Sequence, residues 1–63
     1  MLEKPQLDEE LIELEISRIQ LLFEKNRYNK EQKKWFIEAK RIKAEQFNDE
    51  ILLEVCDRLT RMI

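Results

Sequence analysis

The chain has no glycine at any of its 63 positions and a single proline, Pro5. Glycine is the residue that enters left-handed backbone conformations at no steric cost, so its absence removes the usual material of tight turns, hairpins and phosphate-cradling loops. Long regular helices joined by a few corners are what such a chain can build. Composition agrees, because charged residues make up 41% and hydrophobic residues 43% of the sequence, the balance of amphipathic helices. The expected fold class is all-α.

Sixty-three residues allow one domain. A chain of this length buries only about 60% of the surface it exposes when unfolded, so it needs help from a disulfide, a metal or self-association. Cys56 is the only cysteine and there is no histidine. An internal disulfide is therefore impossible and the usual zinc ligand sets are missing. Self-association is left, and a homodimer or higher oligomer is the expectation. No apolar run reaches the ~20 residues needed to cross a bilayer, and the start MLEKPQLDEEL lacks the apolar core of a signal peptide. A cytoplasmic protein with a reduced thiol and no membrane partner is expected. The preference for Lys, Ile, Glu and Asn fits a low-GC bacterium or one of its phages.

Charge is sorted along the chain. Met1 to Glu24 holds seven acids against two bases, Lys25 to Lys43 eight bases against two acids, and Ala44 to Ile63 five acids against two bases. Folded side by side, such segments attract one another.

Residues 1–7 read as a lead-in without periodicity. Asp8 followed by Glu9 and Glu10 reads as a helix N-cap with acids in the first turn, and opens a helix over about 9–25. On a wheel of ~100° per residue this helix carries two apolar seams. Ile12, Ile16, Ile19 and Phe23 form one; Leu7, Leu11, Leu14, Leu21 and Leu22 form the other, with Asp8 and Glu15 between them. A helix apolar over more than half its circumference is covered by more than one neighbour, and the leucine seam is accordingly the candidate protein interface.

With no glycine to end this helix, Asn26 is the candidate left-handed residue. Asn29 with Gln32 three positions on is a capping box that opens a second helix over about 30–47, and the short link makes the two helices antiparallel neighbours. Trp35, Phe36, Ala39, Ile42 and Phe47 share a face and are expected in the core, leaving Ile37 and Ala44 outside. Glu31, Lys34, Glu38, Arg41 and Glu45 stand at ion-pair spacing down one flank. At Phe47-Asn48-Asp49-Glu50 the apolar pattern changes phase. Asn48 before two acids reads as a new helix start, with a third helix over about 49–62 carrying Ile51, Leu52, Val55, Cys56, Leu59, Met62 and Ile63 on one face. The expected architecture is an antiparallel helical hairpin closed by a third helix, a three-helix bundle. A two-helix protomer with one unbroken helix from Lys30 onward is the alternative.

Chemistry is poorly served by these residues. General acid–base work at neutral pH leans on histidine, and Ser17 and Thr60, the only hydroxyl nucleophile candidates, have no adjacent base. A carboxylate di-iron site wants Glu-x-x-His, and nucleotide phosphates want a glycine-rich loop. The expectation is a protein without catalytic activity, cofactor or metal. Cys56 falls among Leu52, Val55 and Leu59, where a cysteine acts as a small hydrophobe.

Basic and aromatic residues interleave over Lys33 to Lys43, as they do in helices that grip phosphates. Trp35-Phe36 followed by Lys40, Arg41 and Lys43 resembles the recognition helix of a homeodomain over about ten residues. Glu38 stands where that family's adenine-reading Asn would fall, so the family is not carried over. Two functional expectations result. The first is a small non-enzymatic regulator or adaptor that self-associates and binds a larger protein through Leu7, Leu11, Leu14, Leu21 and Leu22. The second is a small DNA-binding regulator using Lys30, Lys33, Lys40 and Lys43.

Overall fold

A computed structural model describes residues 7–63, and these form three helices with no strand among them: α1 (Glu9–Lys25), α2 (Lys30–Gln46) and α3 (Glu50–Met62). Residues 1–6 of the expected lead-in lie outside the described residues. Leu7 is half-buried and packs against the core.

Each helix begins on a side chain that satisfies its free amides. Asp8 accepts from the Glu10 and Leu11 N–H groups at 3.1 and 3.3 Å. Asn29 accepts from the Gln32 N–H at 2.8 Å while the Gln32 side chain accepts from the Asn29 N–H at 2.9 Å, the reciprocal capping box. α3 starts one residue later than its expected signal, because Asp49 is the cap and accepts from the Leu52 N–H at 3.0 Å.

The two corners are built alike. At the end of α1 the Tyr28 N–H bonds back to the Phe23 carbonyl at 3.0 Å and the Arg27 N–H to the Glu24 carbonyl at 3.2 Å. At the end of α2 the Asp49 N–H reaches the Ala44 carbonyl at 2.8 Å and the Asn48 N–H the Glu45 carbonyl at 3.4 Å. This paired closure requires one left-handed residue, normally glycine, and here Arg27 and Asn48 take it, each with φ of 52°. The expectation for Asn26 is thereby corrected. Its φ is −95°, and it caps the helix with its side chain, whose amide donates to the Leu22 carbonyl at 2.9 Å. The left-handed position falls one residue later because that register lays Tyr28 on Phe23, with ring centroids 5.7 Å apart. The corner at Phe47–Asp49 also rules out the unbroken helix from Lys30.

Both α1 and α2 pack mainly on α3, so the third helix and not the α1–α2 hairpin is the hub. Val55, Cys56 and Leu59 of α3 meet Ile12, Ile19 and Phe23 of α1 and Ile37 of α2 in one buried cluster. α1 and α2 meet through rings: Phe36 stands edge-on to Phe23 at 5.3 Å and 85°, with Tyr28 6.3 Å from Phe36. Edge-to-face pairs of this kind add about 0.5–1.5 kcal/mol beyond the area they bury.

The buried face of α2 differs from the expected one. Ile37 and Ala44 are 3% and 0% exposed, whereas Trp35 is 71% exposed and Ala39, Ile42 and Phe47 also face outward. Only Phe36 of the expected set turns inward, and partly. Ala44 is small enough to lie under the corner that Asp49 closes, and Ile37 fits over α3, where its carbonyl accepts from the Cys56 thiol at 3.7 Å. Lys33 and Lys40, both half-buried, complete that face at its margin.

Candidate functional site

α1 divides its apolar residues between opposite sides. Ile12, Ile19 and Phe23 are buried, with Ile16 packed beside them, and the leucines lie on the other side. Leu11 is 45%, Leu14 54% and Leu21 64% exposed; Leu22 is less so, and Leu7 leaves the set to join the core. Arg18 lies within the leucine face and pairs with Glu15 at 3.2 Å. Leu22, Glu15, Arg18 and Ile19 also line one wall of a cleft of about 270 Å³; Phe36 and Lys40 of α2 form the other wall and Leu52 the remainder. The leucine face thus runs without interruption into the groove between α1 and α2.

α2 carries a second outward apolar stripe that sequence reasoning placed in the core. Trp35, Ala39 and Ile42 follow at intervals of four and three residues, all exposed. A signal for its orientation existed: Lys33, Ile37, Lys40 and Ala44 have the same spacing, and lysine stems can border a core as well as face water.

The four lysines stand in two settings. Lys30 and Lys43 are exposed, whereas the Lys33 ammonium sits over the Phe23 ring at 5.8 Å and the Lys40 ammonium over the Phe36 ring at 5.5 Å. Each such contact is worth ~0.5–1 kcal/mol near the surface and would be given up in reaching a phosphate. The expected ladder on α2 is not formed: among the described residues Lys34 and Arg41 make no ion pair with its acids. Arg41 instead donates to the Thr60 hydroxyl on α3 at 3.3 Å.

Among the described residues, the ion contact between helices joins the two acidic segments. Arg58 donates two hydrogen bonds to Glu9 at 2.8 and 2.9 Å and a third to Glu54 at 2.8 Å. The hydrogen bond from Arg58 holds the Glu9 carboxyl below its ordinary range. Cys56 is buried, and burial pushes its thiol up, away from the reactive thiolate. Among the described residues no helix is long and apolar enough to cross a membrane, and no three potential ligands cluster as a metal site would require.

Neither family models nor curated proteins nor solved structures give a match to this chain.

Proposed function

We propose that this chain is a small cytoplasmic regulator or adaptor without catalytic activity, which self-associates and occupies a surface of a larger protein through helical apolar faces. The observation that carries the reading is the leucine face of α1: Leu11, Leu14 and Leu21 stand in water on the side of the helix opposite its buried isoleucines. Four large aliphatic side chains gathered on one helix face, rimmed by acids, form the kind of patch that marks a binding surface. Isolated exposed leucines would need no explanation; a periodic row of them does. The cation–π placement of Lys33 and Lys40 favours this reading over DNA binding, since it engages two of the four lysines that DNA would need.

The test is the double variant Leu14→Asp with Leu21→Asp. The expected result is a protein that keeps its helical far-ultraviolet signal but loses association, in sedimentation equilibrium and in capture of a partner. A variant that unfolds completely would mean that the leucine face is internal core, and would end the proposal.

A further inference from the structure

We infer that the Trp35 stripe of α2 is a second docking surface, and that its occupant is an amphipathic helix of another protein whose apolar face is flanked by lysine or arginine. This surface lies on a different helix from the leucine face of α1 and stands or falls apart from it. Trp35, Ala39 and Ile42 follow at intervals of four and three residues, the period of a two-helix seam. Trp35 is 71% and Ile42 54% exposed. Tryptophan is among the side chains that dominate binding energy, and this chain places its only one in water. Ala39 between the two anchors is too small to hold a second helix away. From Trp35 to Ile42 the stripe is roughly 10 Å long at ~1.5 Å per residue, the footprint of a small and reversible contact.

The edges of the stripe determine what seats there. Glu31, Glu38 and Glu45 recur every seventh residue along one edge, all exposed, and none of them makes an ion pair among the described residues. The other edge carries Gln32, Phe36 and Lys43, a single cation. Lys40, further round the helix, lies over the Phe36 ring. Lys34 and Arg41 stand behind the glutamates and line a cleft against α3, with Glu38 at its rim; there Arg41 donates to the Thr60 hydroxyl. The arginines of α3 are committed elsewhere, Arg58 to Glu9 and Glu54, and Arg61 to Asp57. Three carboxylates thus border the stripe against one ammonium, and basic residues flanking an apolar helix face complement that border. A second copy of this chain does not. Antiparallel α2 helices would set glutamate edge against glutamate edge, and parallel ones would set it against Phe36 and Lys43, one cation for three carboxylates.

Trp35 is the only tryptophan, so its fluorescence reports on this stripe and not on the leucine face. The full chain is titrated at low ionic strength with a synthetic peptide of about three heptads, with leucines at the seam positions, lysines on both flanks and no aromatic residue. A second titration uses the same peptide with glutamate in place of lysine. The lysine peptide is expected to shift the Trp35 emission to the blue with a dissociation constant on the order of micromolar, weakening as salt rises, and the glutamate peptide to leave it unmoved. Ile42→Ala should raise that constant about five- to fiftyfold by removing an anchor. Glu38→Lys combined with Glu45→Lys should raise it about two- to thirtyfold. Leu14→Asp should not change it, and far-ultraviolet circular dichroism checks that each variant is folded. An emission that the lysine peptide does not move at millimolar concentration would overturn the inference. So would an equal response to both peptides, since the glutamate edge would then select nothing. Indifference to Ile42→Ala, or loss of the response in Leu14→Asp, would overturn it by moving the peptide to another surface. A blue shift produced by concentrating the protein alone would make the occupant a second copy of the chain and overturn it as well.

Discussion

Arg27 occupies a position that the helix-ending hydrogen bonds reserve for a left-handed residue, and its Cβ makes that conformation cost about 1–2 kcal/mol. Nothing at the residue itself explains the choice. What fixes it is the neighbour, because only this register brings the Tyr28 amide to the Phe23 carbonyl and the two rings into contact. The corner was therefore legible in the sequence as a place but not as a residue: local propensity favours Asn26, and a tertiary ring contact selects the next position. Arg27→Gly should stabilise the protein by about 0.5–1 kcal/mol, the left-handed penalty removed less the extra unfolded-state freedom of glycine. In a domain of this size that raises Tm by several degrees. Asn48→Gly should gain less, since asparagine tolerates the conformation. Thermal melts of the two variants check the order, and an Arg27→Gly protein less stable than wild type would mean that the arginine side chain contributes something beyond its backbone.

For the helices, starts were legible and one buried face was not. Asp8 and the Asn29–Gln32 box act through bonds local to one turn, which a sequence displays directly. Which face of α2 turns inward depends on where α3 lies, and α3 is placed by a corner in which Asp49 both receives the end of α2 and caps the next helix. Counting hydrophobic mass selected Trp35, Ala39 and Ile42, whereas packing selected the thinner line of Ile37 and Ala44 between two lysines. Ile37→Val should therefore lower stability by about 0.5–1.5 kcal/mol through the methylene lost from a closed site. Trp35→Ala removes far more mass from an exposed position and should change stability by less than about 0.5 kcal/mol. Denaturant midpoints measured side by side decide the matter. The reverse order would put the tryptophan stripe in the core.

At the scale of the whole molecule, the candidate protein surface was legible because α1 has more apolar circumference than a chain this short can cover. What the sequence does not show is which charges lie over rings, as those of Lys33 and Lys40 do. Covering the leucine face twice over would yield roughly 6–12 kcal/mol of gross burial, against an association cost of ~4–15 kcal/mol, so self-association through it, as proposed, should be weak and reversible. The protomer must then hold together largely on its own, and one polar contact that closes it links the first turn of α1 to α3 through Glu9 and Arg58. The hydrogen bond from Arg58 depresses the Glu9 carboxyl below its ordinary value of 4.5, against an opposing desolvation and with help from the guanidinium charge. A carboxyl whose folded-state pKa is lowered contributes stability that is fully present above its unfolded value and is lost as pH falls through the folded value. Glu9→Gln should accordingly melt below the wild type at pH 7, and the gap should close as pH drops below about 4.5. Because Glu9 is exposed, the gap should also shrink in high salt. Thermal melts of both proteins between pH 7 and pH 2, at two ionic strengths, measure it. A gap that stays constant with pH would show that the charge of Glu9 contributes nothing to holding α1 on α3, leaving the apolar cluster around Val55 and Cys56 to do so alone.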